Sequence, residues 1–127
     1  MIVRLDRIDR TPEGQAFVID YKTESAATTR ERIKDPTEDT QLAFYAALVA
    51  DDTVRAAYVN VGEKSSGTQT FEQTEVVDAR DALVAGLIDD FTRIAEGAAL
   101  PALGEGMVCE HCAARGLCRK DFWEMSA

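Results

Sequence analysis

Ala16-Phe17-Val18-Ile19-Asp20-Tyr21-Lys22 is the stretch whose reading decides the fold. Phe17, Ile19 and Tyr21 alternate with Ala16, Val18, Asp20 and Lys22, which is the periodicity of a strand. Period two places Asp20 and Lys22 on one face. A carboxylate and an amine therefore stand together where a half-buried apolar strand runs out, a place where sheets often present chemistry.

Upstream, Ile2 to Arg10 is β-branched and charged and reads as a second strand carrying Asp6 and Asp9. Thr11-Pro12-Glu13-Gly14 lies between the two. Proline suits the first central position of a type I turn and glycine the left-handed position that follows. The result is a three-residue hairpin loop closed by a glycine bulge, in which Thr11 pairs with Gln15. This register sets Asp6 opposite Asp20 and Arg4 opposite Lys22. Directly opposed like charges destabilise a sheet, so something must compensate. One reading is a divalent cation shared by Asp6 and Asp20 with Lys22 beside it. The other is a solvated strand face whose charges are screened, since ion-pair networks also cluster charges.

Downstream, Thr23 to Lys34 is polar and reads as a loop, with Arg30, Arg32 and Lys34 either available to phosphates or solvated. Asp35-Pro36-Thr37-Glu38 has the marks of a helix start, with Asp35 as N-cap and Pro36 at the first helical position. The predicted helix runs to about Ala50. Gln41, Tyr45 and Leu48 share one stripe and Leu42, Ala46 and Val49 the next. Gln41 is then an amide on a buried surface and needs partners. Arg55 to Val61 and Thr68 to Glu75 read as two further strands around a turn at 62–67. Asp78 caps a long helix ended by Gly97, and its stripe of Leu83, Val84, Leu87, Ile88, Phe91, Ile94 and Ala95 is expected to be core. Ala98 to Val108 reads as a loop.

The tail holds Cys109-Glu110-His111-Cys112 and Cys118. Three thiolates this close can converge on one metal; three free buried cysteines are the alternative. His111 is adjacent to Cys112, which is poor geometry for sharing one ion.

The 127 residues suit one modest domain, and the 46% hydrophobic content is ordinary for a globular chain. No apolar run approaches a membrane span, and no secretory signal opens the chain. An odd number of cysteines, 3, argues against a disulfide framework and for a reducing cytoplasm. The net charge of −9 is awkward for a nucleic-acid binder unless metal ions or other protein offset it.

Leu5-Asp6-Arg7-Ile8-Asp9, Ile19-Asp20-Tyr21-Lys22 and Gln41-Leu42-Ala43-Phe44-Tyr45-Ala46 together resemble the PD-(D/E)XK nuclease superfamily over nearly the whole chain. They resemble more narrowly its RecB-type exonuclease domain, and the cysteine tail resembles the AddB branch, the C-terminal nuclease of a double-strand-break repair helicase-nuclease. The resemblance implies a restriction-endonuclease-like α/β fold, a central mixed sheet with flanking helices. It implies that Asp6, Asp20 and the Tyr21 carbonyl hold magnesium or manganese, that Lys22 orients or activates the attacking water, and that Gln41 supports the site. Tyr45, Arg30 and Lys34 would meet DNA. Cys109, Cys112 and Cys118 would bind a four-iron cluster. Helicase domains or a partner subunit would complete the assembly.

Three departures stand out. The family's upstream metal-binding histidine and fourth cysteine are missing, and Val3 replaces a common glycine. They fit a single nuclease domain, 1–127, truncated at its N-terminus, with a Cys-rich tail at 105–127 and an incomplete cluster. The competing expectations are a non-catalytic DNA-holding module of the same fold and a small zinc-binding interaction domain built on the tail.

Overall fold

The computed structural model describes residues 3–62, 67–99, 107–110 and 112–118. The middle of the turn at 62–67, most of the loop at 98–108, His111 and much of the tail at 105–127 lie outside the described residues. Contacts group the chain into two compact units, residues 1–90 and 91–127.

The first unit is built on a four-stranded mixed sheet of β1 (Arg7–Arg10), β2 (Ala16–Lys22), β3 (Arg55–Asn60) and β4 (Gln69–Glu72), in that spatial order. β1–β2 and β3–β4 are antiparallel, and β2–β3 is parallel. The parallel pair requires a crossover, supplied by α1 (Ala26–Arg32) and α2 (Gln41–Ala47). This is the mixed, helix-flanked α/β sheet expected from the sequence.

The hairpin register is the one the turn residues dictate. Arg7 pairs with Ile19, Ile8 with Val18, Asp9 with Phe17 and Arg10 with Ala16. Thr11 N–H donates to the Gln15 carbonyl at 2.9 Å, and Gly14 N–H donates to the Thr11 carbonyl at 2.9 Å. Gly14 has φ of 90°, a conformation that glycine adopts without steric penalty. The strand is shorter than Ile2 to Arg10, however. Pairing stops at Arg7, because Asp6 lies in a bend and its side chain, not its backbone, meets β2.

One face of the sheet carries the core: Ala16, Val18, Ala56 and Tyr58 pack with Leu42, Ala46, Val54 and Val76. Val18, Ala46 and Ala56 are fully buried. Burying a leucine-sized side chain contributes about 1.5–3 kcal/mol, so Leu42, 1% exposed, is a principal anchor of α2. By alternation Asp20 and Lys22 continue this α2-facing row beyond Ala16 and Val18.

Three expectations from the sequence are corrected. Thr23 to Lys34 is not a loop, since it contains α1, whose N-cap Ser25 accepts from Thr28 N–H at 3.2 Å. A polar seven-residue helix has no apolar stripe to betray it. Next, α2 begins at Gln41, not at Pro36. The Asp35 carboxylate accepts from Thr37 N–H at 2.9 Å and from Glu38 N–H at 3.3 Å, which caps an isolated turn. Asp39 is drawn into side-chain bonds with Tyr58 and Arg32, and the chain cannot coil through it. Finally, α3 (Val76–Ala95) does not bury its stripe: Val84 is 38%, Leu87 42%, Ile88 62% and Phe91 68% exposed. Only Val76 of α3 is buried. Clefts remain where a packed helix would close them, one between Pro36, Thr37 and Thr40 and the Ala79–Leu87 side of α3.

The second unit holds the end of α3, α4 (Met107–Glu110) and α5 (Arg115–Cys118). Gly97, at φ of 88°, ends α3, and Ala98 N–H reaches back to the Arg93 carbonyl at 2.9 Å. Among the described residues no helix is long and apolar enough to cross a membrane.

Candidate active site

The end of β2 delivers Asp20 and Lys22 to the first turn of α2. Lys22 Nζ lies 2.8 Å from Asp20 Oδ2 and donates to Gln41 Oε1 at 2.7 Å. Gln41 Nε2 donates to Asp20 Oδ1 at 2.8 Å and to the Tyr45 hydroxyl at 2.9 Å. An amide is the side chain that can accept from an ammonium and donate to a carboxylate at once. Helical spacing places Tyr45 one turn beyond Gln41. Four residues singled out in the sequence thus form one connected group.

Asp20 and Lys22 are both largely withdrawn from water, with side chains 5% and 16% exposed. Asp20 Oδ2 is buried and makes no hydrogen bond. Its 2.8 Å contact with Lys22 is an ion pair whose angles fall short of a hydrogen bond. A buried carboxylate oxygen with unused lone pairs is the donor that a hard divalent cation takes.

Asp6 joins through the backbone: its Oδ2 accepts from Tyr21 N–H at 3.0 Å. Lys22 C=O accepts from Val61 N–H on the β3 side. Successive residues of a strand direct their backbone groups to opposite neighbours, so the Tyr21 carbonyl faces the β1 side, where Asp6 stands. The groups expected to hold a metal, the Asp6 and Asp20 carboxylates and the Tyr21 carbonyl, offer only oxygen, the donor that magnesium and manganese prefer.

Arg30 and Lys34 are engaged elsewhere. The Arg30 guanidinium lies 5.5 Å from the Phe71 ring centroid, and Lys34 Nζ pairs with Glu31 at 2.6 Å. The cysteines at 109, 112 and 118 are free thiols. No group of three metal-ligating side chains occurs among the described residues, so the fold gives the iron–sulfur expectation no support.

Sequence reading missed a second polar group beside the first. Arg32 Nε and Nη2 grip Glu24 at 2.6 and 2.8 Å, and Arg32 Nη1 holds Asp39 at 2.7 Å. Tyr58 OH donates to Asp39 Oδ1 at 2.6 Å. Asn60 Nδ2 donates to Thr29 Oγ1 at 3.0 Å, and Thr29 Oγ1 donates to Glu24 at 3.2 Å. The Arg32 guanidinium holds Glu24 below the usual carboxylate range. Burial pushes Asp39 up, but the Tyr58 hydroxyl and Arg32 outweigh it and leave it low. Burial, then the anionic Asp39, pushes the Tyr58 phenol far up, so it stays a neutral donor. Ser25 as a helix cap was the one local signal for this group.

No curated protein and no solved structure matches the chain. A family model does, over residues 1–119, and it spans every element that builds this site. Members of that family typically use divalent metal ions and act on DNA. By that match and by its mixed sheet, the chain belongs to the PD-(D/E)XK nuclease superfamily.

Proposed function

We propose that the protein is a metal-dependent deoxyribonuclease, of the exonuclease type found in RecB/AddB-like helicase-nucleases. The observation that carries this reading is the buried Asp20 Oδ2, without a hydrogen bond and 2.8 Å from the Lys22 ammonium. Asp20, Asp6 and the Tyr21 carbonyl would hold magnesium or manganese. When bound, such an ion supplies Lewis acidity, lowering the pKa of a water and neutralising phosphate oxygen.

The chain's own residues do the rest. Lys22 sets its ammonium beside the attacked phosphate, where fixed charge favours the transition state. Gln41 holds Asp20 and Lys22 in register. Tyr45 extends the site along α2 toward bases or sugar. Arg30 and Lys34 would meet phosphates of the DNA; the exposed Lys34–Glu31 pair is worth at most about 1 kcal/mol, little enough for a phosphate to displace. A cation also answers the charge of −9, since the site attracts a polyanion only once loaded. The cysteine tail adds nothing to this reading.

The test is digestion of linear and covalently closed DNA with magnesium or with chelator. Linear DNA should be degraded only with magnesium, the closed circle spared, and Asp20→Asn inert. Asp20→Asn protein as fast as wild type would overturn the nuclease assignment; cleavage of the closed circle would overturn the exonuclease type.

A further inference from the structure

We propose that Tyr58 is the positioning residue of the Lys22 ammonium. The inference rests on the reading that Lys22 works beside a phosphate. Tyr58 stands next to Asp20 in the parallel β2–β3 register and is 1% exposed. Its ring centroid lies 4.7 Å from Lys22 Nζ, within the range of an attractive cation–π contact. An ammonium has three N–H donors on a flexible four-carbon stem. Asp20 and Gln41 take two directions, and the ring closes a third side. The three contacts together fix the position of the ammonium.

The ring itself is held by its far end. Tyr58 OH is tied to Asp39, Asp39 to Arg32, and Arg32 to Glu24 by two bonds. Glu24 is two residues past Lys22, so the circuit closes on the same chain segment. It also has a protective side. Glu24 lies within electrostatic reach of Lys22 and would compete with Asp20 for the ammonium, and Asp39 carries a second negative charge on the far side of the Tyr58 ring. Arg32 occupies both, and its planar fork suits carboxylates better than a lysine does. A structural tyrosine would need only burial; this one presents its face to the ammonium and its hydroxyl to a clamped carboxylate.

The experiment uses protein labelled at lysine Cε. The sequence has four lysines, Lys22, Lys34, Lys64 and Lys120, and Lys22→Arg assigns the Lys22 signal. The ring current of Tyr58 should move the Lys22 ε-protons upfield of the other three. Tyr58→Phe, which keeps the ring but unties its far end from Asp39, should show a smaller shift and Tyr58→Leu should lose it. With linear DNA and magnesium, Tyr58→Leu should lose kcat by roughly tenfold to a hundredfold, the scale of a small misplacement, with KM unchanged, and Tyr58→Phe should fall between Tyr58→Leu and wild type. A wild-type Lys22 signal without the upfield shift overturns the inference whatever the protein does to DNA, and needs no Tyr58 variant to fold. A fall in Tyr58→Leu that lies in KM alone also overturns it. A shifted Lys22 signal in a protein that never cuts DNA upholds the placement and defeats the nuclease reading instead.

Discussion

The Lys22 ammonium and the Gln41 amide oxygen meet at 2.7 Å, joining the last residue of β2 to the first residue of α2. The contact makes the helix part of the site, because Gln41 also donates to Asp20 and Tyr45. Gln41→Glu removes that donor and sets a second carboxylate against Asp20. The loss of satisfied buried bonds should lower stability by about 1–3 kcal/mol. Magnesium should then raise the melting temperature of the variant more than that of wild type, since it meets two facing carboxylates. Equal magnesium shifts would show that Gln41 and Asp20 do not share the cation's surroundings.

Leu42, one residue on, tests which helix carries the core. It is 1% exposed on α2, whereas Phe91 on α3 is 68% exposed. Leu42→Ala should cost about 2–5 kcal/mol by chemical denaturation, the usual range for a buried leucine. Phe91→Ala should stay within about 0.5 kcal/mol, as at exposed positions. The reverse order would mean that the α3 stripe is buried after all.

What the sequence made legible was what it encodes locally. Pro12 and Gly14 define a turn, the turn defines a register, and period two carries Asp20 and Lys22 to one face. Gln41 and Tyr45 followed from helical spacing. What stayed hidden depends on partners far apart in sequence. Arg32, Glu24, Asp39 and Tyr58 bond across 7 to 19 residues, and no periodicity announces such contacts. Asp35 shows a subtler failure. A carboxylate that accepts backbone N–H groups caps a helix or closes a turn with the same local chemistry, and the choice was made by Asp39, whose bonds to Tyr58 and Arg32 hold the chain out of the helix. The α3 stripe failed differently: amphipathicity shows that a face is apolar, not that anything covers it.

Asp51 gives the acid limb of stability. Its carboxylate accepts from the Thr53 hydroxyl at 2.6 Å, from Ala16 N–H at 2.9 Å and from Thr53 N–H at 2.8 Å, and the Thr53 hydroxyl first, then the two N–H groups, lower its pKa to about 2. A folded pKa below the unfolded one means stability that is present above the unfolded value and lost as pH falls toward the folded one. Glu24 and Asp39, also lowered, act in the same direction. The melting temperature should therefore fall as pH drops from about 4 to about 2, and Asp51→Asn should fall less steeply over that window. Parallel curves for the two proteins would remove Asp51 from the account.

The last prediction separates the charge of Lys22 from the ligand role of Asp20. Lys22→Met removes the cation from a nearly buried pair, and breaking such a pair costs about 3–5 kcal/mol because the remaining charge is uncompensated. A divalent ion restores that compensation, so magnesium should stabilise Lys22→Met more than wild type, while turnover on linear DNA falls roughly a hundredfold or more, the scale of one lost charge stabiliser. Asp20→Ala removes the ligand instead, and both the magnesium shift and hydrolysis should vanish. Asp6→Ala should weaken the magnesium shift too, since it takes away a second oxygen donor. Calorimetric magnesium titration and a digestion assay on the same preparations read both quantities. If Lys22→Met and Asp20→Ala digest DNA as fast as wild type, the chemistry lies elsewhere on the chain. If Asp20→Ala keeps the full magnesium shift while losing hydrolysis, Asp20 acts on the substrate and not on the metal.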